Sequence, residues 1–482
     1  MTNIIGRKEE FEKIKELYNS KMPHFLTVYG RRRVGKTFLI DEALKGKITF
    51  RHAGLSPIDG QNHKNSLKEQ LKHFYMSLQA QGMKKSKCPT SWLEAFFMLE
   101  MHLQSIDDGS RQVVFLDELP WMDTPRSGFI TALEAFWNGW GCHRDNFMLV
   151  VCGSATSWIT DNLINNHGGL YGRLTCQLKL SPFTLNECEQ FFRSKGIRMS
   201  RYDIVQSYMI FGGIPYYLNY FEKGRSLAQN IDNLFFKKSA VLSDEFDRLF
   251  SSVFARPEEL MRIVKVLAGR RAGYTQEEIA KLAGLTVGGS FSTMLKALVA
   301  SDFIEPYIPF GKGKRDRHYK LIDHFCLFYM DFVQGRKEID PEFWMHNVTS
   351  QSVSSWCGFA FEEVCFAHIH QLKRSLDILG VSSTESAWAV KGDDGTEGAQ
   401  IDMIINRKDN VVNLCEMKFY NEKYTVNKAY YSKVVHRQNL LAERIPRKAV
   451  IHNVLVTTEG LTYTEYSGVF QNVVTIDDLF VK

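Results

Sequence analysis

Apolar positions along the first 155 residues alternate between two rhythms. Residues 7–20 place Phe11, Ile14, Leu17 and Tyr18 on one helical face. Residues 25–29 (FLTVY) form a short apolar run of strand type, and residues 30–37 form a glycine-bounded loop. Residues 38–44 continue as a helix, and a second apolar run covers 48–50. Helical patterns follow over 62–81, 91–106 and 127–140, separated by buried-strand patterns at 113–118 and 147–152. Strands that are apolar on both faces and separated by helices predict a parallel sheet covered on both sides.

The pattern changes over residues 255–335. Thr275 and Glu278 form a capping box, with Tyr274 and Ile279 at staple positions, and that helix ends near Gly284. A second helix at about 290–300 carries Phe291, Met294, Leu295 and Leu298 on one face. Phe303-Ile304 and Tyr319-Lys320-Leu321 read as short strands around a basic tip with Lys312, Lys314, Arg315 and Arg317. Helix, turn, helix and basic hairpin resemble a winged helix.

Further on, residues 400–405 and 411–419 read as two strands joined by Arg407-Lys408-Asp409-Asn410, which is good turn chemistry. A hairpin centred on Asp409 sets Asp402 opposite Glu416, and Glu416 and Lys418 share a face.

Composition narrows the class. The 482 residues suit about three domains, and 44% hydrophobic with 24% charged residues is ordinary for a globular chain. The net charge of +6 is too weak to imply nucleic acid without local clustering. Nine scattered cysteines contain no CxxC, which signals neither zinc nor a disulfide framework. The charged N-terminal segment is unlike a signal peptide, and no run approaches a membrane span. The expectation is a cytoplasmic protein without membrane association.

The most specific motif is Gly30, Arg31, Arg32, Arg33, Val34, Gly35, Lys36 and Thr37, which fits GxxxxGK[ST] between a strand and a helix. Its glycines let backbone N–H groups wrap phosphates, and the helix N-terminus adds positive potential. Lys36 is expected to reach the β- and γ-phosphates of ATP, and Thr37 to ligate Mg²⁺. Asp117, at the end of an apolar strand, is the expected second Mg²⁺-shell residue, and Glu118 the group that activates water. Ser154 either senses the γ-phosphate or caps the next helix. Arg173 is either a γ-phosphate sensor or arginine finger, or a surface arginine.

Residues 1–240 resemble the archaeal-type ATPases of the STAND branch of AAA+-related P-loop NTPases. Ile5-Gly6-Arg7 with Glu10 is similar to that family's adenine-side box, and residues 30–37 and 113–118 to its Walker A and B motifs. Gly153-Ser154 sits where its sensor strand ends, and Gly212-Gly213-Ile214-Pro215-Tyr216 resembles the motif of its helical lid. The resemblance implies that Pro215 lies near the nucleotide.

The D…ExK pattern resembles the PD-(D/E)xK nuclease fold, a domain that commonly ends chains of this ATPase family. Asp402 and Glu416 would hold Mg²⁺, and Lys418 would position water or stabilise charge. The helical segment around residues 358–364 would add an acid, Glu362 at the family's FE position, with Glu363 as the alternate. Residues 418–448 carry eight basic residues, with Tyr420, Tyr424, Tyr430 and Tyr431 interleaved. Such a mix suits a nucleic-acid backbone or a solvated basic helix face.

The expected organisation is a P-loop core over 1–185, a helical lid over 186–250, a winged-helix-like domain over 251–335 and a nuclease-like α/β domain over 336–482. The expected function is ATP binding and hydrolysis coupled to a DNA-acting nuclease-like domain. The alternative is an ATP-dependent switch with a non-cleaving C-terminal domain. ATP and Mg²⁺ are the expected cofactors. DNA is a candidate partner through residues 311–320 and 418–448, and a homo-oligomer is left open.

Overall fold

The computed structural model describes residues 4–56, 66–165, 168–254, 256–335, 340–390 and 398–482. The chain divides into two compact units. The first comprises Met1–Pro182 with Asp247–Leu260 and Ser292–Asp302, and the second comprises the remaining segments between Phe183 and Lys482.

The first unit is built on five strands: β1 (His24–Tyr29), β2 (Phe50–Ala53), β3 (Gln112–Asp117), β4 (Phe147–Gly153) and β5 (Cys176–Lys179). Their order is β2-β3-β4-β1-β5, and every neighbouring pair is parallel. β3 and β4 are buried along their whole length, as continuous apolar runs require. One face is covered by helices Leu67–Ala80, Trp92–Ser105 and Phe129–Gly139, whose Phe74, Trp92, Phe96, Phe129 and Phe136 form a shared aromatic core. Each such buried ring contributes roughly 1.5–3 kcal/mol from burial alone.

The apolar run expected at 48–50 is shifted: β2 starts at Phe50, opposite Val114, and continues through Arg51 and His52. Two polar residues hide this strand in the sequence because each finds a specific partner. Arg51 pairs with Asp41 at 2.7 Å and stacks over Phe115, and His52 Nδ1 meets Ser77 Oγ at 2.9 Å. The helix expected over 62–81 begins at Leu67, behind a Ser66–Glu69 capping box, and residues 62–65 lie outside the described ones.

The second unit contains the capping box of Thr275 and Glu278 and the helix Gln276–Ala283, closed by Gly284 in the left-handed region. Its short strands β6 (Tyr274–Thr275), β7 (Ile304–Tyr307) and β8 (His318–Leu321) form an antiparallel sheet ordered β6-β8-β7. The expected strand at 303–304 therefore lies one residue later and runs on to Tyr307.

A separate five-stranded mixed sheet comprises β9 (Ser383–Val390), β10 (Ala399–Arg407), β11 (Val411–Lys418), β13 (Val450–Thr457) and β15 (Asn472–Thr475). β12 (Tyr424–Thr425) and β14 (Leu461–Thr462) pair beside it. The order is β15-β13-β11-β10-β9, with β9, β10 and β11 antiparallel and β11, β13 and β15 parallel. The β10–β11 register pairs Met403 with Cys415 and Asn406 with Val412, a hairpin centred on residue 409. Asn410 supplies the turn's left-handed residue, a conformation asparagine tolerates.

Candidate functional site

Glycine makes the phosphate-type loop geometrically possible. Gly30 has φ 138° and faces backbone: a Cβ there would lie 2.3 Å from Leu180 O. Gly35, at φ 91°, caps the helix Lys36–Ala43 without supplying a side chain. Lys36 is buried, and its Nζ donates to Gly30 O and Arg31 O, both at 3.0 Å. Burial lowers its pKa, against the opposing pull of Glu118, Cys152 and Asp117. Arg31 and Val34 are buried with it, and Arg33 supplies the loop's left-handed non-glycine turn. Arg32 lies 5.7 Å from the Trp121 ring and 3.4 Å from Ser252 O.

The ends of β3 and β4 meet this loop. Thr37 Oγ1 donates to Asp117 Oδ2 at 3.0 Å. Cys152, on β4, donates its thiol to the other Asp117 oxygen at 2.5 Å. Burial foremost, and then the nearby carboxylates, push that thiol pKa well up, so it stays a neutral donor. Glu118 follows β3 in the left-handed region at φ 46°. Its carboxylate accepts from Ser154 N at 3.0 Å and from Ser154 Oγ at 2.9 Å. Ser154 therefore does not cap the following helix, since Ala155 occupies that position. At the unit's edge, Arg7 pairs with Glu10 at 3.7 Å and donates to Ser181 O.

Arg173 is not placed with this group, and Pro215 belongs to the other unit. Arg173 is exposed on a turn, and no contact links it to the loop among the described residues. Pro215 begins the short helix Pro215–Leu218 in the second unit, after Gly212 and Gly213 have ended the helix Arg201–Phe211. Gly213 is required there because a Cβ would lie 2.2 Å from Phe183 O.

The second unit assembles the acidic group. Asp402 lies where the β9–β10 register shifts between Ile401 and Ile404, an irregularity of the kind that re-aims a side chain. Lys418 Nζ stands 3.8 Å from Asp402 Oδ2 and 3.5 Å from Glu416 Oε2, so all three share one face. The Met417 amide donates to Asp402 Oδ2 at 2.9 Å. Burial and then Glu416 raise the Asp402 pKa.

Glu362, on the helix Gln351–Ala367, is pushed up to about 8, first by burial and then by Asp402 and Glu363. Glu363 is engaged elsewhere, bonded to Lys320 Nζ at 3.1 Å. Glu362 is thus the helix acid that feels Asp402. Lys320, within the expected nucleic-acid segment 311–320, is buried by that pairing and does not face solvent. Lys312, Lys314, Arg315 and Arg317 remain exposed.

Two further residues of this group come from the helix Lys428–Ala442. Tyr430 OH donates to Glu416 Oε2 at 2.7 Å, and Arg437 Nη1 reaches the same oxygen at 2.5 Å. Burial opposes the Arg437 charge, but Glu416 outweighs it, so the guanidinium pKa is raised. These residues were expected on a basic, base-stacking surface, and the structure turns them inward. Their seven-residue spacing, two helical turns, was the available signal. Tyr424 packs between Tyr420 and Tyr430. Lys423, Lys428, Lys433, Arg444, Arg447 and Lys448 are exposed.

Among the described residues no group of three or more His, Cys, Asp or Glu side chains is arranged to hold a divalent ion. Mg²⁺ nonetheless commonly uses only one or two carboxylates beside substrate oxygens. Glu416 Oε1 is fully buried and has no hydrogen-bond partner among the described residues, an orphan acceptor that suits a cation. Thr37 and Asp117 present a hydroxyl and a carboxylate side by side, the hard oxygen donors that Mg²⁺ takes.

A family model described as an ATPase domain predominantly from Archaea matches residues 4–221. Those residues are similar to ATPase domains of this type. The phosphate-type loop, Asp117, Glu118 and Ser154 all lie within the matched residues, and the Asp402–Glu416 group lies outside them. An uncharacterized protein of Methanocaldococcus jannaschii is 25% identical over 448 residues, covering 91% of this chain and 92% of that protein. An uncharacterized ATP-binding protein of the same organism is 44% identical over 44 residues, 9% of this chain and 75% of that protein. Among solved structures, a Walker-type ATPase of Pyrococcus abyssi aligns with a TM-score of 0.47 and 18% identity over 68% of this chain and 96% of that one. The ORC2 protein of Aeropyrum pernix aligns with a TM-score of 0.41 and 11% identity over 68% and 94%. No helix among the described residues is long and apolar enough to cross a membrane.

Proposed function

We propose that the ATPase domain binds and hydrolyses ATP, and that its nucleotide state governs a nucleic-acid-directed, nuclease-like second unit. The observation that carries the first half is the Thr37–Asp117 hydrogen bond, which ties the loop to the strand end. The loop amides and the Lys36 ammonium bind the β- and γ-phosphates. Thr37 and Asp117 would hold Mg²⁺, which neutralises phosphate charge when bound. Glu118 orients the attacking water and takes its proton, with Ser154 fixing that carboxylate. Glu118→Gln tests this: it should retain ATP and lose turnover.

For the second unit, Asp402 and Glu416 would hold a divalent ion, which would polarise a phosphodiester when bound. Glu362 flanks them, and Lys418 stabilises developing negative charge. The exposed Lys312, Lys314, Arg315 and Arg317, together with the basic residues of 423–448, supply a sequence-independent attraction to a phosphate backbone. Mg²⁺- or Mn²⁺-dependent nicking of plasmid DNA, abolished by Asp402→Ala or Lys418→Ala, tests this half. A second reading, a nucleotide switch whose C-terminal unit does not cleave, is favoured by the Arg437–Glu416 ion pair, which already satisfies one carboxylate oxygen. Absence of nicking with DNA binding retained would select it.

A further inference from the structure

We propose that Arg437 is a built-in competitor for the divalent ion: its guanidinium neutralises Glu416 and must leave that carboxylate before a metal binds. The inference rests on the metal-binding reading of the Asp402–Glu416 pair. Glu416 is fully buried, so its charge persists only beside compensating donors. Among the described residues its two cations and its one neutral donor converge on one oxygen: Arg437 at 2.5 Å, Lys418 at 3.5 Å and Tyr430 at 2.7 Å. The other oxygen, Oε1, is buried and bonded to nothing among the described residues.

A purely structural carboxylate would spread its partners over both oxygens, because leaving a buried acceptor unpaired is costly. Here the acceptor is kept vacant while the charge is balanced from the opposite side. The balance is close: ionised Asp402 and Glu416 carry two negative charges against the two positive ones of Lys418 and Arg437, and Glu362, pushed up to about 8, is held mostly neutral beside them. Adding a divalent cation to this set overcharges it, so one of the resident cations must give way. Lys418 is the poorer candidate, since it stands between both carboxylates. Among the described residues Arg437 forms its ion pair with Glu416, and it sits two turns from Tyr430 on a helix with an exposed opposite face, so its side chain can withdraw.

The test is titration of the full-length protein with Mn²⁺ in the absence of nucleotide, read by calorimetry and by electron paramagnetic resonance of free Mn²⁺. Wild type, Arg437→Gln, Tyr430→Phe and Glu416→Gln are compared. Arg437→Gln is expected to bind Mn²⁺ at least about tenfold tighter than wild type, because the competing charge is removed. Tyr430→Phe, which removes a neutral donor, should shift affinity by less than about threefold. Glu416→Gln should lose the binding event, which assigns it to this site rather than to the phosphate-type loop. A second measurement guards against misfolding. Arg437→Gln should melt lower than wild type in chelator and recover in Mn²⁺, whereas wild type changes less. Equal or weaker Mn²⁺ binding by a folded Arg437→Gln overturns the competitor role while leaving the metal reading intact. Failure of both wild type and Arg437→Gln to bind Mn²⁺ overturns both.

Discussion

Ser154 holds Glu118 through two donors, its amide at 3.0 Å and its hydroxyl at 2.9 Å from Oε2. The amide is fixed by the end of β4, so the hydroxyl is the part a substitution can remove. Ser154→Ala should leave ATP affinity within about twofold and lower kcat about tenfold, because Glu118, the proposed general base, loses part of its orientation. Steady-state kinetics with a separate nucleotide-binding measurement checks the split. A proportional loss of both would instead point to γ-phosphate contact.

Lys320 and Glu363 form an ion pair that is nearly buried on both sides. Breaking one half strands a charge, at a cost of about 3 kcal/mol or more. Lys320→Met should therefore destabilise the second unit strongly, and Lys320→Met/Glu363→Leu should recover much of the loss. Denaturant unfolding of both variants checks this. DNA affinity of the double variant should stay near wild type, since the exposed Lys312, Lys314, Arg315 and Arg317 are untouched.

The local signals in the chain were legible and the distant ones were not. The residues 30–37, the Thr275–Glu278 capping box and the 402–418 hairpin each write their geometry into a few consecutive residues. The hairpin register could even be located by arithmetic, because side chains in strands alternate strictly. β2 was displaced because Arg51 and His52 are polar yet satisfied by Asp41 and Ser77 from other elements. The choice between Glu362 and Glu363 depends on Lys320, 43 residues away from Glu363. Tyr430 and Arg437 read as surface residues, and only tertiary packing brings them onto Glu416. Charge content alone cannot separate a solvated basic helix from one whose arginine is turned inward.

Two buried histidines make folding sensitive to acid. Burial pushes His52 down to about 3 and His368 down to about 4. His368 accepts the Leu185 amide on Nε2, which fixes it as the neutral ring. Both pKa values are depressed below the ordinary 6.5. The unfolded chain therefore takes up protons first as pH falls. Their contribution is complete above about pH 6.5 and is lost on acidification toward 4 and 3, by up to about 1.4 kcal/mol per pH unit for each ring. Glu362, pushed up to about 8, acts with the opposite sign, so the test is a difference between variants. The stability gap between wild type and His52→Gln should narrow from pH 7 to pH 5. A gap independent of pH would contradict the neutral buried ring.

The proposed ATP-hydrolysing centre consists of Lys36, Thr37, Asp117 and Glu118. The most direct measurement is phosphate release from ATP and Mg²⁺ by the full-length protein, beside Lys36→Ala and Glu118→Gln and with nucleotide binding measured in parallel. Turnover is expected in wild type, loss of binding or of turnover in Lys36→Ala, and retained binding with turnover reduced at least about a hundredfold in Glu118→Gln. Wild-type turnover in both variants would contradict it.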